Sequence, residues 1–438
     1  MSTIQLLPHQ RRAMELTADK NRVAYYLDMG LGKTFVGSEK MISFGTPRNL
    51  VICQKSKVED WLDHFKEYYP GLPVTDFTQR GSVAGEGVTV VNYDLTFRRP
   101  ILKGLKDFTL MLDESSMIQN ETAKRSKFAL GLHPDNVILL SGTPTGGKYE
   151  RLWSQLRLLG WGISKDLYWK QYIETEWVKQ DGFFRQHITG YKNVDRLKKK
   201  LADYGAVFMK DEDAGIVLPD QTFTHVRTQA PKEYWTFLKK RLITIDTLNL
   251  QEFEDCSDFW GTDTTPRREL IGDTPLTRRM YSRQLCGMFN PSRYEAFSDL
   301  VNSTDDRLIV FYNFTAEMER CRRIVEAMNR PVSWINGSGE DLTAYNYRSN
   351  AITFVQYQAG AMGKNLQKAN KTIYFSLPES SELFEQSKKR THRIGQSRPC
   401  FYYILICPHT VEEDIFDNLL MRKDYTDELF TAYEKTCA

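Results

Sequence analysis

Along the chain, short apolar runs rich in β-branched and aromatic residues alternate with longer charged segments whose apolar positions recur with helical spacing. The runs Val23–Leu27, Leu50–Cys53, Val88–Val91, Leu110–Leu112 and Val137–Leu140 are apolar throughout except for Thr89, rather than alternating. Runs of that kind suit strands covered on both faces, so they predict a parallel sheet with helices on either side. A second set, Leu308–Tyr312, Val332–Ile335, Ile352–Gln356, Thr372–Phe375 and Phe401–Ile406, predicts another such sheet. The fold class is therefore α/β. Between the sets, Lys210 to Pro231 is punctuated by proline and charge, which puts the expected boundary near Ala230 and the domains at 1–230 and 231–438. The segment Tyr234 to Ser303 reads as helical, with apolar positions at Trp235, Leu238, Leu242 and Ile245.

Open α/β sheets bind ligands beyond the carboxyl ends of their strands, and there this chain places its chemistry. The first run leads into Tyr26-Leu27-Asp28-Met29-Gly30-Leu31-Gly32-Lys33-Thr34. Gly30 and Gly32 let the backbone wrap an anion, Lys33 supplies a mobile charge for the β and γ phosphates, and the Thr34 hydroxyl suits Mg²⁺. Leu27 stands where the phosphate-loop pattern has its first glycine. The fourth run ends in Asp113-Glu114-Ser115-Ser116, an adjacent pair suited to holding a metal ion (Asp113) and activating a water (Glu114). Such a pair by itself is commonly just solvated. The fifth run ends in Ser141-Gly142-Thr143-Pro144, repeating the pattern of a strand followed by small polar residues. Far downstream, Arg390 and Arg393 are spaced to share one face of a helix and present two guanidinium forks to one anion, although the surrounding Lys388 and Lys389 also fit an ordinary basic surface helix.

In this order the motifs resemble helicase superfamily 2, in particular its Swi/Snf branch of ATP-driven double-stranded DNA translocases. Leu6-Leu7-Pro8-His9-Gln10 is similar to the branch's adenine-reading Q motif, and Val51-Ile52-Cys53-Gln54-Lys55-Ser56 through Trp61 to motif Ia with its following helix. Val90-Val91-Asn92-Tyr93 resembles motif Ib, and Leu140 through Thr145 resembles motif III. Leu308 through Phe314 is similar to motif IV, Tyr357-Gln358-Ala359-Gly360 through Leu366 to motif V, and Gln386 through Gln396 to motif VI, the most specific string of the set.

The resemblance implies two RecA-like lobes with ATP in the cleft between them, and ATP and Mg²⁺ as cofactors. Gln10, Gly30, Gly32, Lys33, Thr34 and Gln386 are then expected to bind nucleotide, Thr34 and Asp113 the metal, and Lys33, Asp113, Glu114, Arg390 and Arg393 to carry catalysis. Lys55, Ser56, Asn92, Tyr93, Thr143, Thr145, Asn313, Gln358 and Gly360 are expected to line a nucleic-acid groove, with contacts to phosphate and sugar suiting a motor that steps along any sequence. Tyr168, Trp169, Tyr172 and Trp177 interleave with Lys170 and Lys179; they read as core of the first lobe or as a stacking platform. Three departures stand out. Ser116 replaces the His that couples motif II to motif III, Lys364 replaces a hydrophobic residue of motif V, and Tyr26 and Leu27 replace small or acidic residues ahead of the phosphate loop.

Composition narrows the picture. The 438 residues exceed one hydrophobic core and suit two domains. A net charge of +3 makes any nucleic-acid footprint local. The seven cysteines show no Cys-x-x-Cys pair, which argues for a reducing compartment and against a structural metal. No apolar run approaches membrane-spanning length, so a soluble intracellular protein is expected. The resemblance to minimal motors of the branch implies a monomer in the cytoplasm of a bacterium or a phage-infected cell. The expected activity is that of a DNA-dependent ATPase and duplex translocase in replication, recombination or repair, guided by a protein partner. The rival is a clamp that binds nucleic acid and uses ATP only as a structural ligand.

Overall fold

The computed structural model describes residues 4–180, 183–246, 267–357 and 364–422. Its contacts divide into two compact units, the first taking the chain up to Val217 and again from Met421, and the second running Leu218–Leu420.

The first unit is built on strands β1 (Arg22–Leu27), β2 (Arg48–Cys53), β3 (Val74–Asp76), β4 (Gly87–Asn92), β5 (Phe108–Asp113) and β6 (Asn136–Leu140). A hairpin of β7 (Ile173–Gln180) and β8 (Phe183–Tyr191) follows, then β9 (Ala206–Met209). The main sheet is ordered β3-β4-β2-β5-β6-β1-β9, and every neighbouring pair is parallel. All five expected strands are present. Val23 to Leu27, Leu110 to Leu112 and Val137 to Leu140 are fully buried, the consequence of helices on both faces. Helix α1 (Pro8–Glu15) precedes the sheet, α2 (Lys33–Ser43) follows β1, and α3 (Val58–Tyr68) follows β2. Gly37 of α2 lies on β5 and β6 so closely that a Cβ there would meet Leu140 Cδ1 at 2.9 Å, which brings the helix axis down onto the sheet. Tyr168 and Tyr172 are buried in the core and Trp169 packs against it. Trp177 is instead 68% exposed on the hairpin, which forms a two-stranded sheet of its own.

The second unit contains β10 (Gln221–Arg227), the antiparallel pair β11 (Leu242–Asp246) and β12 (Arg267–Ile271), and then β13 (Leu308–Tyr312), β14 (Val332–Asn336), β15 (Gly339–Asp341), β16 (Ile352–Gln356), β17 (Lys371–Tyr374) and β18 (Cys400–Ile406). Its sheet is ordered β10-β18-β17-β13-β16-β14-β15, parallel throughout except for β14 with β15. Because β10 pairs along its whole length with β18, the chain changes unit before β10 and not near Ala230. The helical reading of Tyr234 onward also ends early. A helix spans Lys232–Lys240, Arg241 closes it with φ +60°, and Leu242 and Ile245 lie in β11. Behind the sheet, the buried Arg293 guanidinium donates to both carboxylate oxygens of Glu412, with Nη1 to Oε1 at 2.7 Å. Among the described residues no helix is long and apolar enough to cross a membrane.

Candidate active site

Three adjacent strands of the first unit, β5, β6 and β1, end side by side, and the segments that leave them meet. From β1 the chain passes through Gly30 (φ +94°) and Gly32 (φ +74°) into α2. Gly32 caps α2 in the left-handed conformation, and a Cβ there would lie 2.2 Å from Gln10 Nε2. Only glycine permits both the conformation and the approach. Helix α1 is thereby clamped onto the loop: Gln10 Nε2 donates to Leu31 O at 3.1 Å, and its Oε1 accepts the Leu7 backbone N–H at 2.9 Å. Gln10 thus fixes the loop's shape through its own amide, as the buried His9 ring does at the same carbonyl, 3.1 Å away.

Lys33 opens α2, and its ammonium donates to Leu27 O at 2.9 Å and Asp28 O at 3.2 Å. Burial pulls its pKa down, while Glu114, Asp28, Asp113 and Asp211 pull it back up. The lysine thus sits in a negative field with both acidic residues of the β5 end. Asp113 and Glu114 are each raised, chiefly by burial, and each is drawn back by Lys33 among other partners. Asp113 Oδ2 accepts the Trp61 indole N–H at 2.8 Å, so α3 fixes the rotamer of this carboxylate. Glu114 has φ +54°, a left-handed backbone that costs a non-glycine residue on the order of 1–3 kcal/mol. Its Oε1 accepts from Ser141 Oγ at 2.6 Å and from Ser116 Oγ at 3.4 Å. Ser141 also accepts the Thr143 N–H at 3.1 Å. The link between motif II and motif III, which the missing His put in question, therefore runs through the Ser141 hydroxyl. Thr34 and Asp113 offer a hydroxyl and a carboxylate, hard oxygen donors of the kind Mg²⁺ takes.

The second unit holds Gln386, Arg390 and Arg393. The helix carrying Gln386 spans Ser381–Lys388 and stops there, so Arg390 and Arg393 lie in the turns beyond it and share no helix face. What fixes these turns is Gln396, whose Nε2 donates to the backbone carbonyls of Gln367, Ala369 and Thr391. Gln386 donates to Glu382 Oε1 at 3.4 Å, and Arg393 is partly buried, which lowers its pKa.

The nucleic-acid set is placed unevenly. Lys55 is exposed and Ser56 half-buried on the 3₁₀ turn Lys55–Lys57. Tyr93 is turned inward, its hydroxyl donating to Asp113 O at 2.9 Å. Thr145 is fully buried and accepts the Gly147 N–H, Asn92 and Thr143 are also buried, and the Asn313 amide donates to Ser376 Oγ and Leu377 O. Asn92, Tyr93, Thr143 and Thr145 are thus held within the first unit, and Asn313 is half-buried in the second. Gln358 and Gly360 lie outside the described residues. Sequence reading missed Trp61, Asp211 and Ser141 as site residues. Trp61 reads as one apolar position of an amphipathic helix, Ser141 lies in the motif III string but carried no role of its own there, and nothing local marks Asp211.

A glycine loop opening a helix with Lys33, an Asp-Glu pair at the end of a nearby parallel strand and a hydroxyl linking that pair to the strand between them are the parts of a P-loop nucleoside triphosphatase. The chain belongs to the SNF2 family, its residues 9–268 matching the SNF2-related domain and 292–395 the helicase conserved C-terminal domain. It is 23% identical over 435 residues to the uncharacterized ATP-dependent helicase YqhH of Bacillus subtilis, covering 93% of this chain and 76% of that protein. It is 24% identical over 447 residues to the DNA annealing helicase and endonuclease ZRANB3 of Mus musculus, covering 93% of this chain and 40% of that protein. Against the mouse SWI/SNF-related regulator of chromatin subfamily A member 1 it is 23% identical over 89% of this chain, again spanning 40% of the relative. The solved Sulfolobus solfataricus SWI2/SNF2 ATPase core in complex with dsDNA shares 20% identity, covers 98% of this chain and 94% of its own, and has a TM-score of 0.46.

Proposed function

We propose that this chain hydrolyses ATP on binding DNA and uses the energy to move along duplex DNA. The observation that carries the reading is the convergence of Lys33, Asp113 and Glu114 at the mouth of one phosphate loop. In this reading the loop's backbone N–H groups and Lys33 take the β and γ phosphates, and Gln10 holds the loop against α1. Thr34 and Asp113 would hold Mg²⁺, which when bound would supply positive charge to the phosphoryl oxygens. Glu114 orients the attacking water and accepts its proton, which requires an ionised carboxylate. Arg390 and Arg393 supply positive charge to the transferring phosphoryl group. Lys55 and Ser56 contact the DNA backbone, in keeping with binding that does not read sequence. The setting is replication, recombination or repair in the cytoplasm of a bacterium or phage-infected cell, with the chain acting as a monomer guided by a protein partner.

A second reading, strand separation, is favoured by the hairpin of β7 and β8. Their register puts Trp177 and Phe184 on one face as diagonal neighbours, both 68% exposed, beside Lys179. Triplex displacement and forked-duplex unwinding, measured side by side with ATP turnover, separate the two. Duplex-stimulated turnover with triplex displacement and no unwinding supports translocation. Robust unwinding that Trp177→Ala abolishes supports the second reading, and neither activity refutes both.

A further inference from the structure

We propose that Gln155 is a positioning residue for ATP hydrolysis, a fully buried bracket that holds the Glu114 turn against the phosphate-loop strand and motif III. This rests on the ATPase reading of the site. Gln155 sits in the helix Trp153–Leu158 and touches none of the reacting groups. Its Oε1 accepts from Ser115 Oγ at 2.8 Å and from Tyr26 Oη at 2.9 Å, and its Nε2 donates to Pro144 O at 2.7 Å. The amide orientation is forced, because the Pro144 carbonyl can only accept.

Each partner is one residue from a group the chemistry needs. Ser115 follows Glu114, Tyr26 precedes the Leu27 whose carbonyl holds Lys33, and Pro144 follows the Thr143 whose N–H is bound by Ser141. Together with the bond from Ser141 Oγ to Glu114 Oε1, these contacts close a ring from Gln155 through Ser115 and Glu114 to Ser141, Thr143 and Pro144. The ring holds Glu114 in its left-handed backbone while Ser141 keeps its grip on the carboxylate. Gln155, Ser115 and Tyr26 are all 0% exposed, so no water replaces a lost partner from the surface. A lone structural glutamine would require only that its own polar atoms be satisfied; this one joins three separate catalytic segments.

The test compares Gln155→Leu, Ser115→Ala and the triple change Tyr26→Phe, Ser115→Ala, Gln155→Leu, each with thermal melting, ATP KM and DNA-stimulated kcat. Positioning predicts that Gln155→Leu lowers kcat by about 10–100-fold with KM within about threefold, and Ser115→Ala lowers kcat by a smaller factor. The triple variant, with both buried hydroxyls gone, regains melting temperature but not kcat. If Gln155→Leu does not fold, the triple variant and Ser115→Ala decide the matter. The proposal is overturned if the folded variants keep kcat within about twofold of the parent, or if the triple variant restores it along with stability. Glu114→Gln, run in parallel, keeps the two claims apart: undiminished turnover there refutes the ATPase site itself.

Discussion

Replacing Ser141 with alanine removes one O–H that donates at 2.6 Å to the Glu114 carboxylate from a fully buried position. A hydrogen bond to a charged group contributes about 1.5–3 kcal/mol, so kcat/KM should fall by about 10–100-fold near neutral pH. The deficit should also depend on pH. Burial raises the Glu114 pKa, while the bond from Ser141 favours the ionised form and lowers it. A base works only when ionised, so activity is present above this pKa and lost as pH falls through it. Losing Ser141 raises the pKa further, which moves the acid limb of kcat/KM to higher pH and leaves the deficit smallest in alkaline buffer. The assay is phosphate release across pH with saturating duplex DNA, with Ser141→Thr as the control that keeps a hydroxyl. A deficit of constant size at every pH, or none at all, would show that Ser141 does not tune Glu114.

Three further outcomes follow from the same geometry. Gly32→Ala forces an L-residue into φ +74° and against the Gln10 amide, so ATP affinity should drop by about tenfold or more in a nucleotide titration; unchanged affinity contradicts the clamp. Arg293→Met strands the buried Glu412 carboxylate and should cost about 3–5 kcal/mol in urea unfolding, most of it recovered when Glu412→Leu is added; no recovery would mean the loss is not electrostatic. Arg393→Ala should keep ATP binding and lower DNA-stimulated turnover by about 10³-fold, and near-normal turnover in both Arg393→Ala and Arg390→Ala would return motif VI to an ordinary basic segment.

The strands were legible because burial on both faces writes itself as an unbroken apolar run, as in Leu110 to Leu112, and the phosphate loop because its glycines and Lys33 are contiguous. The hairpin was not. Its strands β7 and β8 are exposed on the Trp177 face, so Thr175, Trp177 and Lys179 carry no core-facing alternation to detect. Strand β10 is an edge with mostly exposed residues, and its membership in the second sheet depends on β18, far away in sequence. Leu242 and Ile245 fit helical spacing as well as strand spacing, and Arg241 with its positive φ decides between them. Arg390 and Arg393 have helical spacing but follow the last helical residue. Gln155 was invisible for a different reason: its partners Tyr26, Ser115 and Pro144 lie in three other segments, and within its own helix it is one of three polar residues, with Ser154 and Arg157, so nothing local singles it out.

The central claim is that Lys33, Asp113 and Glu114 form a working ATP-hydrolysing site that responds to DNA. Phosphate release by the unaltered chain and by Glu114→Gln, each with and without duplex DNA and paired with a nucleotide-binding titration, tests it most directly. The account predicts turnover that rises severalfold or more with duplex DNA in the unaltered chain, and a Glu114→Gln protein that binds ATP normally and releases almost no phosphate. Equal turnover in the two proteins, or ATP bound with no hydrolysis by either, would contradict it and leave the chain a nucleotide-liganded clamp.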